Sequence, residues 1–550
     1  MLFRRILHAY LLIACGSVFA ADSALEKAAQ DNLPHLSRQG TAVQLIVDNK
    51  PFLILGGELG NSSASSLDYM KPIWPKLARM NLNTVLMPVY WEIIEPREGA
   101  FDFTLVDGLI EQARGHNLRL VLLWFASWKN SMSCYAPAWV KTDLQRFPRA
   151  RLKTGQAMEI LSAFYDPGRD ADAKAFAALM RHLRTIDGDR HTVIMVQVEN
   201  EVGMLEDARD YSDAANLAFA QPVPKELMNY LSQHKEALIP ELYAVWKKGG
   251  FKTSGTWEKV FGKGLATDEI FMAWHYAQYV DFVALAGKAE YLLPMYVNAA
   301  LIRPGRRPGQ YPSAGPLPHL MDIWRAGAPA IDFLSPDIYF PDFAEWCRKY
   351  RQSANPLFIP EADRNPDCAA NVFYAVGQHD GMGFSPFSIE SIEDPENAPI
   401  AKSYDVLSQL SSLILEHQGG GTMVGVLLDK VNSTQKMILG NYKLNVSHDY
   451  TWKYSSAPKD AESWPRAGGI IISTAPDEYV IAGTGLIITF VPTGESKAKA
   501  GIVSIQEGTC SGNQWIPGRL LNGDESHQGR HLRIPMGQSA TQRIQLYRYQ

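Results

Sequence analysis

Eight short runs of almost unbroken apolar character recur between residues 51 and 387, and they constrain the fold more than any other feature. They are residues 51–56 (PFLILG), 84–89 (TVLMPV), 118–124 (LRLVLLW), 192–198 (TVIMVQV), 292–298 (LLPMYVN), 333–339 (FLSPDIY), 357–361 (LFIPE) and 383–387 (GFSPF). They do not alternate apolar with polar, so both faces of each strand are buried, as in a parallel sheet covered by helices. Helix-period segments lie between them. Leu105, Leu109, Ile110 and Ala113 share one face, and so do Phe176, Leu179, Leu183 and Ile186. Residues 67–80 carry a broken helical pattern, interrupted by Pro72 and Pro75. Eight strands with helical partners predict a (β/α)8 TIM barrel. The alternative, a doubly wound open sheet, more often has fewer strands and a nucleotide fingerprint; GGELG lacks the GxGxxG spacing. Residues 205–291 are too long for one crossover and predict an elaborated β4–β5 loop walling the barrel's top.

After about residue 400 the pattern changes. Gly419-Gly420-Gly421 follows a helical segment at 404–417, and short strand-like runs follow at 423–428, 469–473, 479–482, 486–491, 502–506 and 541–548. This spacing predicts an all-β sandwich or jelly roll. The expected division is residues 1–20 as a signal peptide, 21–400 as the barrel and 401–550 as the β-domain.

The N-terminus reads MLFRRILHAYLLIACGSVFA, with a basic start, a short apolar core and small residues near Ala20. That is a secretory signal pattern, so a periplasmic or secreted protein is expected. Leu12 to Cys15 (LIAC) also resembles a bacterial lipobox, which leaves a lipid anchor at Cys15 open as the alternative. No apolar run reaches the ~20 residues of a membrane span. Four further cysteines, Cys134, Cys347, Cys368 and Cys510, include no CxxC pair, so no zinc site is expected; whether Cys347 and Cys368 pair stays open. The formal net charge is −5, which offers no basic footprint for nucleic acid. HExxH, GxSxG and P-loop motifs are absent, and neither a cofactor nor a metal is expected.

The chemistry concentrates at strand ends. Gln197-Val198-Glu199-Asn200-Glu201 closes the fourth strand, and strand alternation predicts Glu199 and Glu201 on one face. Glu361 closes the seventh. In a closed barrel these two ends face each other across the mouth, where catalytic groups sit. A carboxylate pair there suits glycoside cleavage, one group protonating the leaving oxygen and the other attacking or activating water. Tyr339 ends strand six and Asn298 strand five. Trp128 and Asn130 follow strand three; Glu58 and Asn61 follow strand one.

QVENE resembles glycoside hydrolase family 35, the β-galactosidases, and so does residues 89–103, VYWEIIEPREGAFDF. The resemblance implies Glu201 as acid/base, Glu361 as nucleophile and Asn200 as a contact to the sugar's 2-hydroxyl. It also implies Tyr339 as a hydrogen-bond donor to the nucleophile. Asn298, Trp128, Asn130, Glu58 and Asn61 are then substrate-binding candidates. The implied activity is retaining removal of terminal β-galactosyl groups from an oligosaccharide, such as a plant-wall xyloglucan fragment. Alternatives are another sugar specificity in the same clan, for instance an arabinoside, a transglycosylase, or a non-catalytic carbohydrate-binding barrel. An oligomer is open. The sequence departs from the family at Val202, at GGELGNSS and at FIPEADR, all beside the substrate.

Overall fold

The computed structural model describes residues 32–454, 457–494, 498–512 and 514–550. The signal and lipobox segments lie outside them. All eight apolar runs contribute to one closed parallel barrel. Its strands are β1 (Ile54–Glu58), β2 (Thr84–Tyr90), β3 (Arg119–Phe125), β4 (Val193–Val198), β5 (Met295–Ala300), β6 (Phe333–Ile338), β7 (Phe358–Ala362) and β8 (Gly383–Pro386). Pairing runs β5-β6-β7-β8-β1-β2-β3-β4 and closes on β5. Every residue of β2 and of β4 is buried, as unbroken apolar runs require. The first run divides differently from its sequence pattern. Lys50–Phe52 pairs with Ala42–Val47 and His35–Gln39 in a separate three-stranded sheet, and β1 starts only after Leu53.

Pro72 marks the expected break between two short helices, Leu67–Met70 and Ile73–Arg79, whereas Pro75 falls in the first turn of the second, where its missing N–H costs no helical hydrogen bond. The apolar face around Leu109 lies on α1 (Thr104–Gly115), and that around Leu179 on α2 (Asp166–Asp187). Five helices fill the long β4–β5 connection. The last, α3 (Leu265–Glu290), is apolar nearly all round, buries Trp274 and packs along α2. The remaining barrel helices used below are α4 (Phe343–Tyr350), α5 (Cys368–His379) and α6 (Pro399–His417). None of the described helices is long and apolar enough to cross a membrane. Among the described residues, Cys347 and Cys368, both buried, are unpaired, as are Cys134 and Cys510.

Beyond α6 the chain is antiparallel β. One sheet of six strands includes β9 (Met423–Leu428), β10 (Ala467–Ala475) and β11 (Glu478–Thr484); a second sheet has four. Their facing sides share an apolar core containing Val426, Leu444, Ile471, Ile481, Ile488 and Ile544. The six-stranded sheet's other side presents Ile470, Ile472 and Val480 to the barrel's own core. Close approach is made by glycine. A Cβ at Gly468 would stand 2.5 Å from the Ala370 carbonyl oxygen of α5, and one at Gly425 would stand 2.5 Å from the Gln378 nitrogen. Arg466 adds hydrogen bonds to Asp367 and Asn371. Gly468→Val is therefore expected to destabilise the protein by about 1–3 kcal/mol through overpacking, read as a lowered melting temperature. A wild-type melting curve would remove this helix–sheet contact as a determinant of stability.

Candidate active site

The carboxyl ends of the barrel strands gather four acids. Glu58 ends β1, Asp337 lies in β6 and Glu361 in β7, all buried; Glu201 follows β4 and is half-buried. Asp337 and Glu361 are register partners on adjacent strands. Oxygens of Glu201, Asp337 and Glu361 lie within 4.8 Å of one another. Oxygen ligands at this spacing also suit a hard divalent cation, and this is the group of three such side chains found among the described residues.

Strand alternation does not extend through the QVENE segment. β4 stops at Val198, and Glu199 (φ 61°) and Glu201 (φ 45°) both take the left-handed backbone region. That region is costly for non-glycine residues and is tolerated where surrounding structure enforces it. The turn sends the two acids apart, correcting the expectation of a shared face. Glu199 is fully buried beside Asp172 and accepts the Trp128 backbone N–H at 2.7 Å. Burial and Asp172 push its carboxyl well above the ordinary range. Glu201 is left at the mouth.

A chain of amides fixes it there. The Glu201 N–H donates to Asn298 Oδ1 at 2.9 Å. Asn298 Nδ2 donates to Asn200 Oδ1 (2.9 Å) and to Asp337 Oδ2 (2.8 Å). Asn200 Nδ2 donates to the Lys129 carbonyl at 2.8 Å. Asn200 and Asn298 thus stand side by side at the mouth, Asn298 holding Glu201 and Asp337 and Asn200 bracing Asn298. Tyr339, partly exposed, donates its hydroxyl to Glu361 Oε1.

Other candidates stand apart. Trp128 is fully buried, with its ring edge-on to Tyr276 and Tyr279, so it offers no open face to a sugar. The helix α3, which supplies both tyrosines, takes that surface. Asn130 spends its Oδ1 on the Met132 N–H and the Ser133 hydroxyl, stabilising its own turn. Among the described residues, the buried Asn61 Oδ1 and Glu58 Oε1 have no hydrogen-bond partner; Glu58 interacts directly with Glu361.

Burial raises all four carboxyls. Glu361 is pushed up to about 7 by burial and then by the charge of Glu201; Lys129 and hydrogen bonds from Tyr339 and Glu58 oppose the rise. Glu201 is raised by burial against the pull of Lys129, Asp337 and Arg303. Glu58 and Asp337 are raised well above the ordinary range by burial and by neighbouring acids. Four acids facing chiefly one buried lysine cannot all ionise. Glu58 and Asp337, the more strongly raised, hold their protons most tightly, and as acids they donate to Glu361 and Glu201. Sequence reasoning did not single out Asp337. Its signal was present in FLSPDIY, where Asp337 falls near the end of the strand pattern, two positions before Tyr339.

Tyr339→Phe removes a donor to an ionised acceptor, a bond worth about 1.5–3 kcal/mol, or roughly ten- to a hundredfold in kcat/KM. Tyr339 lowers the Glu361 pKa, so its loss raises that pKa and shifts the acid limb of the kcat/KM–pH profile to higher pH. An unmoved limb counts against Tyr339 as the group holding Glu361 ionised.

Comparison with known proteins bears on the same region. Residues 68–249 match the Glyco_hydro_42 family model, described as "Beta-galactosidase". The match names family 42, whereas the wording of QVENE resembles family 35. Residues 400–533 match a domain of unknown function, DUF5597. A curated β-galactosidase of Xanthomonas manihotis is 29% identical over 191 residues, which cover 34% of this chain and 29% of that protein. A family 42 β-galactosidase structure from G. stearothermophilus aligns at 14% identity and a TM-score of 0.46, covering 69% of this chain and 59% of that one. A β-galactosidase from Bacillus circulans sp. alkalophilus aligns at 15% identity and 0.45, covering 66% and 57%. The chain therefore spans less than two thirds of each of these relatives.

Proposed function

We propose that the protein is a retaining glycoside hydrolase that removes terminal β-galactosyl residues. The observation that carries this reading is the approach of Glu201 and Glu361, whose oxygens lie within 4.8 Å. Retaining pairs stand ~5–5.5 Å apart, whereas inverting pairs need ~6.5–9.5 Å to admit a water. Family 42, which the barrel segment matches, and family 35, which QVENE resembles, are both described as β-galactosidases, and this supports the sugar.

In this reading Glu201 protonates the leaving oxygen while Glu361 attacks the anomeric carbon and forms a glycosyl ester. Glu201 starts protonated because burial raises its carboxyl. Ester formation removes the charge of Glu361, so the Glu201 pKa falls and Glu201 becomes the base that activates water. Tyr339 and Glu58 hold Glu361 ionised and aimed. Asn298 positions Glu201 through its backbone, and Asp337 donates to it. The N-terminal signal pattern fits a periplasmic or secreted enzyme trimming plant-wall oligosaccharides, with a lipoprotein as the alternative.

A panel of 4-nitrophenyl glycosides, followed by NMR of the first-formed anomer, tests the proposal. β-Galactoside cleavage with β-galactose released first is expected. Cleavage of only another glycoside, such as the α-L-arabinoside, overturns the sugar. α-Galactose as first product overturns the double displacement. Sugar binding with no turnover of any glycoside leaves a binding barrel.

A further inference from the structure

The loop after β5 reads LIRPGRRPGQYPSAG over residues 301–315. In a chain of net charge −5, it places Arg303, Arg306 and Arg307 within five positions. The loop is built into the mouth. Met204 and Ser313 exchange backbone hydrogen bonds at 2.8 Å in each direction, tying the loop to the segment just after Glu201. Tyr311 is buried and donates its hydroxyl to Glu269 of α3 at 2.9 Å. Two successive tight turns, Arg306 N to Arg303 O (3.1 Å) and Gln310 N to Arg307 O (2.9 Å), present the arginines outward. All three side chains are exposed, and among the described residues no hydrogen bond or ion pair engages their guanidinium groups. The charge of Arg303 reaches Glu201.

Chemistry places this loop relative to the substrate. Glu201 gives its proton to the leaving oxygen, so Arg303, whose charge it feels, lies on the leaving-group side, with Arg306 and Arg307 following on the same exposed loop. A galactosyl group is neutral, and its transition state gains positive charge, so guanidinium groups do not serve the sugar being cleaved. Their natural partners are planar or tetrahedral oxyanions. We propose that this loop is an anion-recognising rim on the leaving-group side, and that the preferred substrates are β-galactosides whose next unit carries a carboxylate or a sulfate. This rests on the galactosidase reading and replaces a neutral oligosaccharide with an acidic one.

The test compares kcat/KM for three aryl β-galactosides, with 4-carboxyphenyl, 4-sulfophenyl and the neutral 4-carbamoylphenyl as leaving groups. Each is measured with wild type and with the Arg303→Gln/Arg306→Gln/Arg307→Gln variant. Taking each anionic-to-neutral ratio across the two proteins cancels intrinsic leaving-group reactivity. The expected result is an anionic-to-neutral ratio three- to tenfold higher in wild type, carried mainly in KM and abolished by 1 M salt, on the scale of exposed charge pairs. Which of the two anions shows the larger change tells carboxylate from sulfate recognition. Equal ratios in the two proteins, with galactosides still cleaved, overturn the proposal alone. If wild type cleaves no β-galactoside, the galactosidase reading falls and takes this proposal with it. A melting curve for the variant shows whether it is folded, and single Arg303→Gln supplies the same ratio should the triple variant unfold.

Discussion

Glu361→Gln is expected to reduce kcat by roughly 10⁶-fold, the scale on which loss of a catalytic nucleophile is felt in a hydrolase. The amide keeps the shape and still accepts from Tyr339, but it cannot form a glycosyl ester. Folding should not suffer. The carboxyl sits at about 7 because burial and Glu201 oppose its ionisation. A carboxyl whose folded pKa is raised contributes stability at low pH that is lost as pH rises through the folded value. Removing it should therefore raise the melting temperature at pH 8 relative to wild type and change little at pH 4. The two readouts separate chemistry from structure. Lost turnover with a preserved or raised melting temperature is the expected pair, whereas near-native turnover would remove Glu361 from the nucleophile's role. The smaller variant Glu361→Gly opens space for azide. Azide would then attack the substrate directly, once, and give the α-galactosyl azide.

The barrel was legible because its strands are buried on both faces, which leaves unbroken runs such as TVLMPVY that no surface element carries. The pairing of Glu201 with Glu361 was legible for a related reason. Closure of eight strands brings the fourth and seventh ends across one mouth, whatever lies between them. Details that depend on a single turn or a distant helix were not. The left-handed residues Glu199 and Glu201 leave no mark in the apolar pattern, so period-2 alternation ran on past Val198. Trp128 reads as a loop aromatic, and only the packing of Tyr276 and Tyr279 from α3 buries it. In the β-domain, the strand Gln514–Leu521 carries Pro517 and Gly518 and is mostly exposed. An edge strand of that composition has neither apolar alternation nor uninterrupted propensity to announce it.

Glu201→Gln should behave differently from Glu361→Gln, and the difference identifies the roles. General acid catalysis contributes about 10²–10⁴-fold, but only where the leaving oxygen needs the proton. For alkyl or sugar leaving groups the full loss is expected. For 2,4-dinitrophenyl galactoside, whose phenolate leaves unaided, the first step should stay close to wild type and the glycosyl-enzyme should accumulate, because no base remains to activate water. The burst in dinitrophenolate measures this directly. Azide needs no base, so it should release the trapped sugar as the β-galactosyl azide, opposite in configuration to the product expected from Glu361→Gly. The pH profile gives a further check. In wild type the rate falls as pH rises and Glu201 loses its proton, so the variant should lose that basic limb while the acid limb, set by Glu361, remains. A Glu201→Gln enzyme that slows equally for every leaving group and ignores azide would assign Glu201 to substrate binding instead of proton transfer.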